Sequence, residues 1–341
     1  MHRRLFAFSF VFACACQAPP STEDTPDAAV AEDSAPVADF CNATDPRTVP
    51  VEVHATPEAG EAPYVDALAT AQHDIRVQVY LMGYGGILDT LKSKAQQGVA
   101  VKVILDRAKI DTNQKYFDQL VAAGAEVHWS DARFTFQHAK FFVVDDRVAV
   151  MSTGNYSKQY SIDLERNFAV VDRDPADIID LVGLFDADWA GTPPTAMPCT
   201  RMVVSPINAR ERILDLITSA QQTLLVESMQ FADTDVRAAV KARIEAGVDV
   251  RILLADPDWI DANATAAIFL RGLGVEPKMI PHLHTKVIVA DGARAYVGSE
   301  NLSWTSLDKN REVGVIVTEA ISIAPLTETF DADYAAGTAF P

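Results

Sequence analysis

His138-Ala139-Lys140-Phe141-Phe142-Val143-Val144-Asp145 is followed, after six residues, by Ser152-Thr153-Gly154-Asn155. The pattern returns as His284-Thr285-Lys286-Val287-Ile288-Val289-Ala290-Asp291, then Gly298-Ser299-Glu300-Asn301. An acid trails each copy, Glu165 in the first and Glu312 in the second. After each lysine the residues are apolar and β-branched or aromatic, which predicts a buried strand. Residues two apart on a strand share a face, so each histidine points the same way as its lysine. The aspartates end their strands at turns, Asp145-Asp146-Arg147 and Asp291-Gly292-Ala293, and a return strand follows each. Such a hairpin is expected to bring Asn155 beside His138, and Asn301 beside His284.

This set of groups suits attack on a phosphodiester. An imidazole can act as nucleophile or proton donor near neutral pH. A fixed ammonium and a carboxamide can hold non-bridging oxygens as charge grows on them. An acid behind the imidazole fixes its tautomer. A lone His-x-Lys is commonly a surface accident. Matching His, Lys, Asp and Asn at one spacing in two halves is not. One copy supplies half a site; two supply an imidazole for each side of an in-line displacement.

At this point the residues resemble the phospholipase D superfamily, with its duplicated His-Lys-Asp signature. The resemblance runs from about Val51 to the C-terminal region. The family pattern continues Gly-Ser/Thr-x-Asn and then Asn-x-Glu. The second copy follows it with Gly298-Ser299-Glu300-Asn301 and Asn310-Arg311-Glu312. The first departs, with Ser152 for the glycine and Asp163-Leu164-Glu165 for Asn-x-Glu. The resemblance implies a phosphodiesterase or phosphatidyltransferase that needs no metal or other cofactor and acts on phospholipids through a covalent phosphohistidine. It implies His138 as nucleophile and His284 as acid. Lys140, Lys286, Asn155 and Asn301 would hold the phosphate, and Glu165 and Glu312 would orient the rings. Asp145 and Asp291 would brace strand ends. Trp304 reads equally as a substrate-side aromatic or a core residue, and His282 as a loop histidine ahead of a cleft-lining one. Two other readings stay open: a secreted endonuclease of the same superfamily, and a non-catalytic surface lipoprotein with this fold.

The remainder of the chain reads as α/β: strands and helices alternate twice in the same order. The expectation is two similar phospholipase D-like repeats, residues 49–198 and 199–341, with mixed sheets flanked by helices and packed about a pseudo-two-fold axis. A Pro-rich stretch, Thr192–Cys199, marks the boundary. The Pro175–Trp189 helix is expected to bury Ile178, Ile179, Val182, Phe185 and Trp189. Residues 1–16 pair a charged start with a short apolar run ending in Ala13-Cys14-Ala15-Cys16. They read as an export signal of lipoprotein type, with Cys14 or Cys16 lipidated. Residues 17–48, acidic and rich in Ala and Pro, read as a tether. Cys41 and Cys199 read equally as a disulfide in an oxidising compartment or as two unrelated buried thiols. Together these predict an exported envelope lipoprotein, or a secreted protein, held at the membrane by its lipid. The net charge of −18 repels polyanions at long range, and no basic run offsets it. Nucleic acid is therefore the weaker partner.

Overall fold

The computed structural model describes residues 45–197 and 199–339. The expected signal, nearly all of the tether, and Cys14, Cys16 and Cys41 lie outside the described residues. Cys199 is disulfide-bonded. Among the described residues no helix is long and apolar enough to cross a membrane.

The first repeat contains β1 (Glu52–Thr56), α1 (Ala62–Ala69), β2 (Asp74–Val79), α2 (Gly86–Gln96), β3 (Ala100–Leu105), α3 (Ile110–Ala122), β4 (Glu126–Trp129), β5 (Lys140–Val144), β6 (Val148–Ser152), β7 (Asn167–Asp172) and α4 (Pro175–Ala190). The second contains β8 (Met202–Ser205), α5 (Ala209–Ser219), β9 (Thr223–Ser228), α6 (Thr234–Glu245), β10 (Asp249–Ala255), α7 (Ala262–Gly272), β11 (Lys278–Ile280), β12 (Lys286–Ala290), β13 (Arg294–Gly298), α8 (Trp304–Asp308), β14 (Glu312–Val317), α9 (Ala320–Ala336) and β15 (Thr338–Ala339).

Each repeat builds one mixed sheet. The orders are β1-β7-β6-β5-β2-β3-β4 and β15-β11-β10-β9-β12-β13-β14-β8. In the first, β2, β3 and β4 run parallel, while β5 and β6 form an antiparallel hairpin beside them. In the second, β9, β10 and β11 run parallel next to the β12–β13 hairpin. The motif strands β5 and β12 thus lie mid-sheet, and every residue in them is buried. Two-sided burial explains their continuous apolar run.

One core joins the repeats. Phe141, Val143, Met151 and Val170 of the first sheet pack with Val287, Val289, Val297 and Val315 of the second. Helices α4 and α9 enter the same layer through Ile178, Leu181, Phe185, Leu326 and Phe330. The outer face of each sheet packs on helices of its own repeat. The buried face of α4 differs from expectation. Leu181 and Leu184 turn inward while Ile179 is 70% exposed, because the face that meets the core runs through Ile178, Leu181, Leu184 and Phe185 at helical spacing. Strand β8, which the sequence reading passed over, pairs with β14 at the sheet edge.

Candidate active site

The aspartate that closes each motif is an anchor for backbone. Asp145 accepts hydrogen bonds from the N–H groups of Gln72, His73 and Asp74 at 2.7–2.9 Å. Asp291 does the same for Gln221, Gln222 and Thr223. Both sit at positive φ, 50° and 55°, a conformation Asp tolerates better than most residues. They tie each motif turn to the chain entering the neighbouring strand, β2 or β9. Burial raises these two carboxyls, but the backbone donors outweigh it and hold both pKa values below the usual range.

The two histidines enter from the ends of β5 and β12, and each is held by the opposite repeat. The backbone N–H of His138 donates to the Arg311 carbonyl at 2.8 Å, and its Nδ1 bonds to Glu312 Oε2 at 2.7 Å. The His284 N–H donates to the Arg166 carbonyl at 3.1 Å, and its Nδ1 bonds to Asn167 Oδ1 at 2.9 Å. Isolated parallel bridges, Gln137 with Arg311 and Arg166 with Leu283, repeat the same crossing. Nδ1 is thus the nitrogen of each ring that the opposite repeat holds.

Strand register explains which residues do this. Ser152 pairs with Ala169 across β6 and β7, and Gly298 with Gly314 across β13 and β14. Asn167 therefore occupies the place of Glu312. The first-repeat counterpart of Asn310-Arg311-Glu312 is Glu165-Arg166-Asn167, two residues later than the stretch read from sequence. Glu165 takes the place of Asn310 and lies 3.7 Å from His284 Nδ1, behind Asn167. Asn167 Oδ1 also accepts from Thr153 Oγ1 at 2.9 Å, while its Nδ2 donates to the Ser161 carbonyl and to Glu165. Glu312 accepts from Ser299, Ser306 and Asn310 as well as from His138.

Sequence reasoning also missed the arginines between. Arg311 makes a two-point ion pair with Asp188 of α4, at 2.8 and 2.9 Å. Arg166 makes one with Asp333 of α9, at 2.7 and 3.1 Å. Each arginine thus spans the seam, and its carbonyl presents the histidine of the other half. The signal was the shared x-Arg-x between the two trailing acids and amides.

Both lysines are buried. Lys140 donates to the His138 carbonyl. Lys286 donates to the His284 carbonyl at 2.5 Å and to the Thr153 carbonyl of the first repeat at 3.2 Å. Burial pushes Lys140 down to about 8, against the pull of Glu312 and Glu300. Lys286 is lowered well below its ordinary value, by burial and then by Lys140. His138 is lowered to about 4, chiefly by burial, with Glu312 opposing. His284 is lowered well below 6.5 by burial and then by Lys286 and Lys140. Burial would raise Glu312, yet His138 and Lys140 hold it down as a carboxylate. The site thus sets two imidazoles, each pushed toward its neutral form, beside two buried lysines whose charged forms an anion would stabilise.

Two hollows flank the rings. One, about 480 Å³, is lined by His138, Tyr80, Phe136, Gln230, Asn301, Ser303, Trp304 and neighbours on α8. Asn301 therefore joins the His138 side, across the seam from where the hairpin reading put it. The Oδ1 atoms of Asn155 and Asn301 are both buried without a hydrogen-bond partner. Trp304 is 58% exposed, so it is not a core residue. The other hollow, about 630 Å³, is lined by Tyr160, Leu164, Glu165, Asp256, Asp258, Trp259, Pro281 and His282. The Trp259 ring stacks 6.1 Å from His284. His282 sits at φ 57°, and its carbonyl accepts from the Arg166 N–H.

The sequence profile for "cardiolipin synthase, PLD-like domain" matches residues 64–189 and 213–334, one copy in each repeat. A probable cardiolipin synthase of Bacillus subtilis (strain 168) is 24% identical over 80% of this chain and 64% of its own. A cardiolipin synthase of Geobacillus kaustophilus (strain HTA426) is 27% identical over 78% of this chain and 62% of its own. The chain thus spans less than two thirds of the length of these relatives. Among solved structures, phosphatidylserine synthase from Haemophilus influenzae Rd KW20 superposes with a TM-score of 0.66 at 13% identity, covering 85% of this chain and 87% of that one. Polyphosphate kinase from Porphyromonas gingivalis gives 0.65 at 17% identity, over 82% of this chain and 50% of that one. These two likenesses concern the fold.

The relatives correct the expected location. The signal-like start pointed to an exported or secreted protein, and the cardiolipin synthases that the chain resembles give export no support. A charged start and a short apolar run are a weak pattern, which decides little against similarity over most of the chain. With the domain profile matched in both repeats and the motif residues gathered at one seam, the chain belongs to the phospholipase D superfamily, through the PLD-like domain of cardiolipin synthases.

Proposed function

We propose that the protein is a phosphatidyl-transferring phosphodiesterase that acts on phospholipids. The observation that carries this is the crossed pair of imidazoles. Each has Nδ1 fixed by an acceptor from the other repeat, at 2.7 and 2.9 Å, beside a buried lysine. A hydrogen bond at Nδ1 fixes the tautomer and leaves Nε2 for chemistry.

The acceptors differ, and this supports a division of labour. His138 is backed by a carboxylate, which stabilises the positive charge a ring gains when its Nε2 bonds to phosphorus. It serves as nucleophile. His284 is backed by a neutral amide and serves as the proton donor. The protein groups alone keep both rings neutral; a phosphodiester anion among Lys140 and Lys286 brings the negative charge that lets His284 take up a proton. His138 Nε2 attacks phosphorus, and the bond to the leaving alcohol breaks as His284 protonates that oxygen. In the return step His284 accepts the proton of an incoming alcohol, whose oxygen attacks phosphorus and releases His138. Lys140, Lys286 and the side-chain NH2 groups of Asn155 and Asn301 stabilise the phosphate oxygens.

The test uses purified full-length protein and phosphatidylglycerol vesicles. Cardiolipin and glycerol should form, and an acid-labile phosphoenzyme should be trapped with wild type but not with His138→Ala. Near-wild-type turnover by His284→Ala would overturn the two-imidazole scheme. Single- and double-stranded DNA in the same assay separates the nuclease reading.

A further inference from the structure

The two arginine clamps of the seam are not completed alike. Gln78 on β2 pairs with Phe141, the residue after Lys140, and Glu227 on β9 pairs with Val287, the residue after Lys286. The two are therefore counterparts, and both are buried. Gln78 Nε2 donates to Asp188 at 2.9 Å, beside the ion pair of Asp188 with Arg311. In the other half the acid that pairs with Arg166 is Asp333, and a glutamate stands in the place of Gln78. Among the described residues neither oxygen of Glu227 has a hydrogen-bond partner, nor has the Thr285 hydroxyl. The strand neighbours of Glu227, Leu253 and Val287, are apolar. Arg251, on the same face of β10 as Leu253, pairs with Asp331 of α9. Arg166 already meets Asp333, Glu58 and the Thr56 carbonyl.

A buried carboxylate without a donor, its near cations already paired, is costly. A carboxylic acid is not, and its O–H can donate as an amide NH2 does. Burial first, and then the charge of Asp333, push Glu227 up to about 8, with Thr285 and Arg166 opposing. Resting on the reading of His284 as proton donor, we propose that Glu227 is a positioning residue for that ring: it carries a proton in the working protein and turns it toward Asp333, as Gln78 turns its amide toward Asp188. Ionisation of Glu227 sets a further carboxylate beside Asp333 and loosens the clamp in which the Arg166 carbonyl holds the His284 N–H. The device is one-sided. The clamp on His138 is completed by Gln78, which has no proton to lose in this range.

Full-length Glu227→Gln keeps a donor and cannot ionise, whereas Glu227→Leu has no donor. Folding raises the pKa of Glu227, so its contribution to stability is whole at low pH and is lost as pH rises toward about 8. In urea denaturation, the unfolding constant of wild type should therefore gain on that of Glu227→Gln by about tenfold per pH unit between about pH 5 and 8. With isotope-labelled histidine, the His284 ring signals should move further in wild type than in Glu227→Gln between about pH 7 and 9. At about pH 6, Glu227→Gln should keep kcat on a soluble phosphodiester and Glu227→Leu should lower it by about tenfold. Parallel stability curves, or His284 signals that move equally in both proteins, would overturn the proposal and leave the transferase reading intact. Diverging curves and unequal His284 shifts in a protein that turns over no phosphodiester would uphold the positioning of His284 and refute the transferase reading.

Discussion

Replacing Glu312 by glutamine tests the role given to the carboxylate behind His138. Four side chains donate to its two oxygens: His138 and Ser299 to Oε2, at 2.7 Å each, and Ser306 and Asn310 to Oε1, at 2.6 and 2.9 Å. A glutamine can keep its oxygen toward His138. Its NH2 then faces Ser306, whose hydroxyl can turn to accept, and Asn310, whose Oδ1 has no partner and can flip into place. Shape and orientation survive; the charge does not. A hydrogen bond to a charged group is worth about 1–2 kcal/mol more than a neutral one. If that difference grows in as His138 becomes positive, kcat falls about five- to thirtyfold. The sign of the titration agrees: Glu312 raises the His138 pKa, so removing its charge lets burial push that ring below about 4. The assay is kcat on a soluble phosphodiester, with thermal denaturation alongside. A folded Glu312→Gln protein with the wild-type rate would refute the reasoning.

The mirror exchange, Asn167→Asp, should behave differently: it faces a new carboxylate toward the Ser161 carbonyl and Glu165, where Nδ2 now donates, and should lower stability by about 1–3 kcal/mol, read by urea denaturation. Lys140, lowered to about 8, is charged below that value and neutral above it, so kcat/KM should decline as pH rises through 8; a profile flat to about pH 10, near an ordinary lysine, would contradict its role. Asp145→Ala frees three backbone donors and should cost about 2 kcal/mol while the folded fraction keeps its activity, measured per active molecule. Arg311→Met leaves the buried Asp188 only Arg133 and Gln78 as partners and should cost about 1–3 kcal/mol, visible as a fall in melting temperature with loss of turnover.

The fold was legible because each half repeats one order of strand and helix, and because β5 and β12 read as continuous apolar runs. The histidines and lysines were legible from repetition alone. What holds the rings was not. Glu165 reads as one of two ring-orienting acids because acids are matched by type, whereas the strand register puts Asn167 behind His284. Sequence spacing cannot show a two-residue difference in the loop before β7. Ser152 likewise looked like a departure from glycine; its hydroxyl bonds Tyr64 and the Gly154 N–H. In the second half a Cβ on Gly298 would meet Gly314 at 2.4 Å and the Tyr296 hydroxyl at 2.6 Å. The hairpin reading failed for Asn301 because it treated each half as self-contained.

The crossing of partners has a consequence for how the molecule comes into being. Glu312 follows His138 by 174 positions, and Asn167 precedes His284 by 117. A growing or truncated polypeptide that has finished its first half owns the His138 ring with nothing to aim it, and the Asn167 amide with no ring to aim. Competence toward phosphodiesters therefore arrives only when β14, carrying Glu312, docks in the second sheet, and an unfinished chain holds no assembled site.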